Sequence, residues 1–334
     1  MKPVIFGLSG PTLTPQESDL FRRADPLGYI LMGRNCVDRD QMRALTDSLR
    51  DLSGRDDLPI LIDQEGGRVA RMRPPVWPAF PAPSAFAALY DRAPSSAIAA
   101  AKANGQALGM MLAEVGVTVD ATPLLDVAQP DMTGAIGDRS FGADPMQVAA
   151  LGRATLDGLA AAGVVGIVKH MPGQGRATVD SHLELPRVSA SADALEHDIA
   201  PFATLSSAPM AMTAHVVFEA WDADRPATLS PTVIRDVIRG RIGFDGLLMT
   251  DDIDMKALSG AAADKASAAI AAGCDVVLDC WARLDEMVAI ADRLDDIAPA
   301  SRARLDRAMK GVGIVGTVPV ADLVQMRDQL LALA

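Results

Sequence analysis

Five short apolar runs in this 334-residue sequence end in side chains able to do chemistry. One runs into Asp63-Gln64-Glu65-Gly66-Gly67-Arg68 and another into Asp126. A third ends in Lys169-His170, a fourth in Thr213-Ala214-His215, and a fifth in Thr250-Asp251-Asp252. Burial disfavours such groups unless they are paired. Their recurrence at the same place in successive runs points to a shared polar site.

Asp251 and Asp252 are adjacent, and adjacent strand residues point to opposite sides. One can face a site while the other caps or pairs. A capping carboxylate at the start of a following helix is the alternative for Asp251. After Lys169-His170 come Met171-Pro172-Gly173-Gln174-Gly175, a shaped turn rather than a helix start. Gly173 and Gly175 are expected to act as hinges for the loop that follows. That loop contains Asp180-Ser181-His182, where Asp180 can orient the imidazole of His182. A carboxylate–imidazole pair suits general acid/base catalysis; a surface loop histidine is the alternative.

Other chemistries lack their motifs. There is no G-x-G-x-x-G after a strand, no G-x-x-x-x-G-K-[ST] and no H-E-x-x-H, so neither cofactor nor metal is expected. Asp180 and His182 as metal ligands is the weaker reading. Cys36, Cys274 and Cys280 are an odd, sparse set, unlike a disulfide scaffold. The net charge is −12 with no Lys/Arg block, which argues against nucleic-acid binding. The apolar run near the start is too short for a secretory signal. No stretch of about 18 apolar residues suggests a membrane span. The expectation is a cytoplasmic protein acting on a small molecule, with no membrane association and no obligate protein partner.

These side chains need elements to position them. Eight apolar runs recur: Val4–Leu8, Gly28–Met32, Pro59–Ile62, Val117–Leu125, Val164–Val168, Met210–Val217, Gly246–Met249 and Asp275–Leu278. Helical patterns lie between them at Asp40–Leu52, Ser96–Val115, Pro145–Ala162, Pro231–Ile238, Ala261–Ala272 and Arg283–Leu294. Apolar residues make up 49% and aromatics only 4%, as suits helices packed on buried parallel strands. Alternation of this kind implies βαβ units, and eight strands imply a closed α/β barrel of the (β/α)8, TIM type. One catalytic domain is expected over residues 1–334, with an amphipathic helical tail from about Ser301 on the barrel exterior. The Pro-rich Pro74–Pro83 reads as an ordered loop.

At these residues the sequence resembles the β-N-acetylglucosaminidases of glycoside hydrolase family 3. The resemblance runs from about Val4 to Cys280. It is carried in order by Gly28–Leu31 with Arg34-Asn35, Ile62–Arg71, Pro123–Val127, Ile136–Phe141, Lys169–Gly173, Asp180–His182, Met212–Val216, Pro226–Ser230 and Thr250–Met255. The resemblance implies a retaining exo-glycosidase in which Asp251 is the nucleophile and His182, paired with Asp180, the acid/base. It implies that Asp63, Arg71, Arg139, Lys169 and His170 hold the N-acetylglucosamine hydroxyls. The substrate class it implies is a murein fragment, N-acetylglucosamine linked to 1,6-anhydro-N-acetylmuramic acid, with or without peptide. Two residues depart from the family pattern: Met171 replaces a phenylalanine, and Gln174 replaces a histidine that is read as loop support. A phosphorylase, a substrate-assisted hexosaminidase and a non-catalytic sugar-binding protein are the alternatives.

Overall fold

Each of the eight apolar runs supplies one strand of a closed parallel barrel. The computed structural model describes residues 1–313 and 318–334. The strands are β1 (Lys2–Gly7), β2 (Pro26–Leu31), β3 (Ile60–Ile62), β4 (Val119–Asp120), β5 (Val165–Met171), β6 (Met210–Thr213), β7 (Leu247–Asp252) and β8 (Val276–Asp279). Neighbours in sequence are neighbours in space, and β1 closes on β8 with Val4 opposite Val277. Both faces of these strands are covered, so they read as continuous apolar runs rather than as alternating ones. Ile5, Leu61, Val119, Ile167, Met212, Leu247 and Leu278 fill the interior. A larger apolar layer lies between the strands and the helices.

Three runs differ from expectation in ways that matter for the site. The fourth forms a ladder over only two residues. Pro123 lacks an N–H and cannot continue the ladder, and the chain rejoins β5 as a single bridge between Leu124 and Lys169. The fifth runs on to Met171, so Lys169 and His170 lie inside a strand rather than after one. The sixth stops at Thr213, and Val217–Phe218 pairs instead with Arg187–Val188 in a small separate sheet.

The expected helices form at Arg39–Ser53, Pro94–Glu114, Pro145–Ala161, Ala262–Ala272 and Leu284–Arg293, and Val233–Arg241 is a π-helix. Pro15–Ala24, Pro83–Tyr90 and Ala192–Thr204 are additional. The first of these starts with a capping box between Thr14 and Glu17, a signal present in the sequence. The tail holds helices Pro299–Met309 and Val320–Leu331. The first does not lie wholly on the exterior: Leu305, Ala308 and Met309 join the cluster inside the barrel and close its bottom. Residues 314–317 of the expected tail lie outside the described residues. Among the described residues no helix is long and apolar enough to cross a membrane.

Asp275, at the foot of β8, ties the bottom together. It accepts from Arg239 (2.7 Å), Arg304 (2.9 Å), Ser301 (2.6 Å) and the backbone N–H of Leu248 (2.9 Å). Asp275→Ala leaves two guanidinium groups without their shared buried carboxylate. It should cost roughly 3 kcal/mol of stability in urea melts. Activity of the folded fraction should remain near that of the parent, because the hub sits at the end of the barrel opposite the polar strand ends. Full loss of activity with an unchanged melt would contradict this.

Candidate active site

The upper ends of β3, β5 and β7 converge on one cavity of 240 Å³. Asp63, Glu65, Arg68, Arg71, Arg139, Lys169, His170, Gln174, Asp180, His182, Met212 and Asp251 all contribute to its wall. A larger recess of 510 Å³ lies at the bottom, between Ser206–Pro209 and Arg304–Ala308. It is at the amino ends of the strands, where this fold places stability rather than chemistry.

The floor is an ion cluster. The Lys169 ammonium, buried within β5, stands 2.6 Å from Glu65 Oε1 and 3.4 Å from Asp63 Oδ1. Arg139 grips both oxygens of Glu65 at 2.8 Å each, and Arg71 reaches Asp63 at 2.8 Å. Burial by itself would raise both carboxyls. Lys169 and the two arginines outweigh it, holding Glu65 at about 2 and Asp63 below the usual carboxylate range. Burial would likewise lower Lys169, but Glu65 and Asp63 raise it instead. All five groups therefore carry charge at neutral pH and offer fixed donors and acceptors to a polyhydroxylated ligand. Glu65 was quoted in the sequence motif without a role. Its signal was a second carboxylate two residues beyond Asp63.

Buried amides and backbone contacts set these side chains. The Gln64 Oε1 accepts from the N–H groups of Arg71 (2.8 Å) and Met72 (3.0 Å), which folds Arg71 back over Asp63. Arg68 holds the loop that presents Arg139. Its guanidinium donates to Asp138 (2.7 Å) and to the carbonyls of Gly134 (2.7 Å), Ala135 (2.8 Å) and Ile136 (3.1 Å).

His170 is fixed from behind. Its Nδ1 lies 2.7 Å from Asp126 Oδ2, while Asp126 Oδ1 accepts the N–H groups of His170 (3.2 Å) and Gln174 (2.7 Å). The Nε2 then faces Asp251 Oδ2 at 3.9 Å. Asp251 turns into the cavity. Asp252 turns away and accepts from the N–H groups of Asp254 (3.2 Å) and Cys280 (3.3 Å). The pair thus splits across the strand as alternation requires. His215, singled out in the sequence, does not line the cavity. It is buried between Thr228 Oγ1 (2.7 Å) and the Asp252 carbonyl (3.0 Å), and burial lowers its pKa. It braces the end of β7.

The loop brings Asp180 and His182 to the rim. Asp180 Oδ1 lies 2.8 Å from His182 Nδ1 and accepts the His182 N–H at 2.9 Å. Burial would raise this carboxyl, but the bonds from His182 pull it down. The imidazole itself is 65% exposed. Of the two glycines expected as hinges, Gly173 takes φ 132°, in the region glycine favours. Gly175 is buried with its Cα against the Val127 carbonyl, where any Cβ would overlap. Gln174 is buried too, and its Nε2 holds Ser181 Oγ at 3.1 Å. Close packing, not freedom, is the role of Gly175; the exposed stretch begins at Thr178. Arg176 pairs with Asp198 at 2.5 Å and stays out of the cavity.

Residues 21–313 match the family described as the glycosyl hydrolase family 3 N terminal domain. A β-hexosaminidase of Alkalilimnicola ehrlichii is 39% identical over 310 residues, covering 91% of this chain and 88% of that protein. The crystal structure of NagZ from Neisseria gonorrhoeae in complex with N-trifluoroacetyl-D-glucosamine superposes with a TM-score of 0.87 at 30% identity, covering 100% of this chain and 98% of that one. A β-N-acetylhexosaminidase from Beutenbergia cavernae gives 0.78 at 26% identity, covering 99% and 95%.

Below the β7–β8 rim, burial and the neighbouring Asp252 raise the Asp279 carboxyl to about 7, and burial raises Asp252 to about 6. The folded protein keeps these protons where an unfolded chain, titrating near 3.9, has lost them. Stability therefore falls as pH rises from about 4 to 7. Asp279→Asn keeps an acceptor and removes the titration. Its Tm should exceed that of the parent at pH 8 and match it at pH 4. The same Tm difference at both pH values would contradict this assignment.

Proposed function

We propose, from the premise that this chain belongs to glycosyl hydrolase family 3 and is a glycoside hydrolase, that it removes terminal β-linked N-acetylglucosamine with retention. Its natural substrates on this reading are murein fragments ending in 1,6-anhydro-N-acetylmuramic acid, with or without peptide. The observation that carries the proposal is the presence, around one cavity, of a strand-end carboxylate with no Lys or Arg partner, Asp251, and a carboxylate-bound imidazole, His182.

On this reading the sugar lies on the ion cluster. Lys169, Arg71, Arg139 and Asp63 bind its hydroxyls, and His170, held by Asp126, borders the reacting centre. Asp251 attacks the anomeric carbon while His182 gives its proton to the departing oxygen. Water, deprotonated by the same imidazole, then hydrolyses the glycosyl-aspartate. Asp180 keeps the Nδ1 proton in place, so Nε2 is the atom that exchanges protons. A neutral imidazole base does not repel an anionic acceptor, which is why phosphate deserves testing beside water. Substrate assistance would need a carboxylate to steer the acetamide. Asp252, facing away and bonded to backbone N–H groups, is poorly placed for that. A sugar-binding protein without turnover would have no use for Asp251 and His182.

A slow fluorinated N-acetylglucosaminide should leave its sugar on Asp251, seen by peptide mass spectrometry. A label on Asp252, or no label together with strong thiazoline inhibition, would favour substrate assistance.

The acid/base role has its own signature. His182→Ala should lose far more activity on a disaccharide than on a dinitrophenyl glycoside, whose leaving group needs no proton. Azide should partly restore deglycosylation and yield the β-glycosyl azide. Equal losses on both substrates, with azide inert, would make His182 a binding or structural residue.

A further inference from the structure

Trp281 is the second residue beyond β8, and 58% of it is exposed. It follows Cys280, which is buried and whose backbone N–H reaches the Asp252 carboxylate. Asp252 follows Asp251, which lines the cavity. The indole therefore stands in solvent just beyond the carboxyl end of β8, on the rim where β8 meets β1 and beside the strand that carries Asp251.

The backbone beneath it is held at both the N–H and the carbonyl of Cys280. The Cys280 N–H donates to Asp252 Oδ1 at 3.3 Å. The Cys280 carbonyl accepts from Arg34, whose Nε also donates to the Leu8 carbonyl at 2.7 Å. Gly7 lets β1 approach this closely, since a Cβ there would overlap the Cys280 carbonyl. Ala282 then takes φ 57°, a left-handed conformation that a non-glycine residue adopts only under constraint. An exposed tryptophan on so fixed a backbone is a preorganised surface.

The cavity's five-charge floor suits the sugar that is transferred. The leaving group must project from the anomeric centre at Asp251 out toward the rim. A pyranose shows apolar C–H faces, and covering an indole with one removes apolar area from water. Arg34, exposed beside this point, bonds only to carbonyls and has no carboxylate partner among the described residues.

We propose that Trp281 is the platform on which the ring of the leaving-group sugar packs, with Arg34 beside it favouring an acidic substituent on that ring. This rests on the glycosidase reading above and deepens it. It assigns leaving-group recognition to the β8–β1 rim, across from the loop that carries His182.

The test compares two substrates. One is a β-N-acetylglucosaminyl disaccharide whose second ring carries a carboxylate. The other is N-acetylglucosaminyl fluoride, which has no second ring. Trp281→Ala should lose about tenfold in kcat/KM on the disaccharide, the scale of one lost apolar contact. It should stay within about twofold of the parent on the fluoride. Trp281→Phe should keep most of the activity on both. Methyl-esterifying the carboxylate should slow the parent, and Arg34→Gln should erase that difference. Equal losses on both substrates would make Trp281 a structural residue, and no loss on the disaccharide would remove the platform; either overturns the proposal. A parent enzyme that turns over neither substrate would instead overturn the glycosidase reading and this inference with it.

Discussion

A lysine ammonium buried inside a β-strand is the constraint from which the site follows. Lys169 is 2% exposed and cannot be hydrated. Left alone, it would cost several kcal/mol or lose its proton. Glu65 at 2.6 Å and Asp63 at 3.4 Å keep it charged. Those carboxylates are buried in turn and need Arg139 and Arg71. Each charge is tolerable only while the others hold position. Together they lock the end of β3, the middle of β5 and the loop before Arg139 into one arrangement. That rigidity suits the proposed sugar site, because hydroxyl recognition depends on donors and acceptors held to within a fraction of an ångström.

The barrel makes such a cluster possible. Parallel closure sends every strand's carboxyl end to the same rim, so residues far apart in sequence meet without long loops. Lys169 and Glu65 are neighbours for this reason. Pro123 adds a local device. By ending the β4 ladder early it frees the chain to deliver Asp126 behind His170, where one carboxylate takes the imidazole and two backbone N–H groups.

The proposed catalytic groups differ in exposure: the Asp251 side chain is 17% exposed and that of His182 65%. Asp251 sits on a strand backed by His215 and Asp252, rigid in the way a nucleophile aimed at one atom must be. His182 sits on a loop whose base is buried at Gln174 and Gly175 and whose tip is open to solvent. Its partner, Asp180, lies two residues away on the same loop. Two bonds to Asp180, from Nδ1 and from the backbone N–H, fix the orientation of the exposed imidazole.

The sequence by itself determined the (β/α)8 barrel, because strands covered on both faces must be continuously apolar and helices on one face must be periodic. It also determined that polar residues gather at strand ends, and the ordered segments marked the glycosidase family. The Asp180–His182 contact was legible because two residues apart in a tight turn can hardly avoid each other. Only the tertiary structure decided which charges pair. Glu65 gained its place by lying under Lys169 and Arg139, and Gly175 proved to be a point of contact rather than a hinge. His215 turned inward, and the tail helix Pro299–Met309 closed the barrel floor. Trp281 carries no signal in the sequence, and the β8–β1 seam sets it at the rim. Local sequence records the propensity of each segment. Pairing and close approach depend on distances between segments, and closure of the barrel alone fixes those.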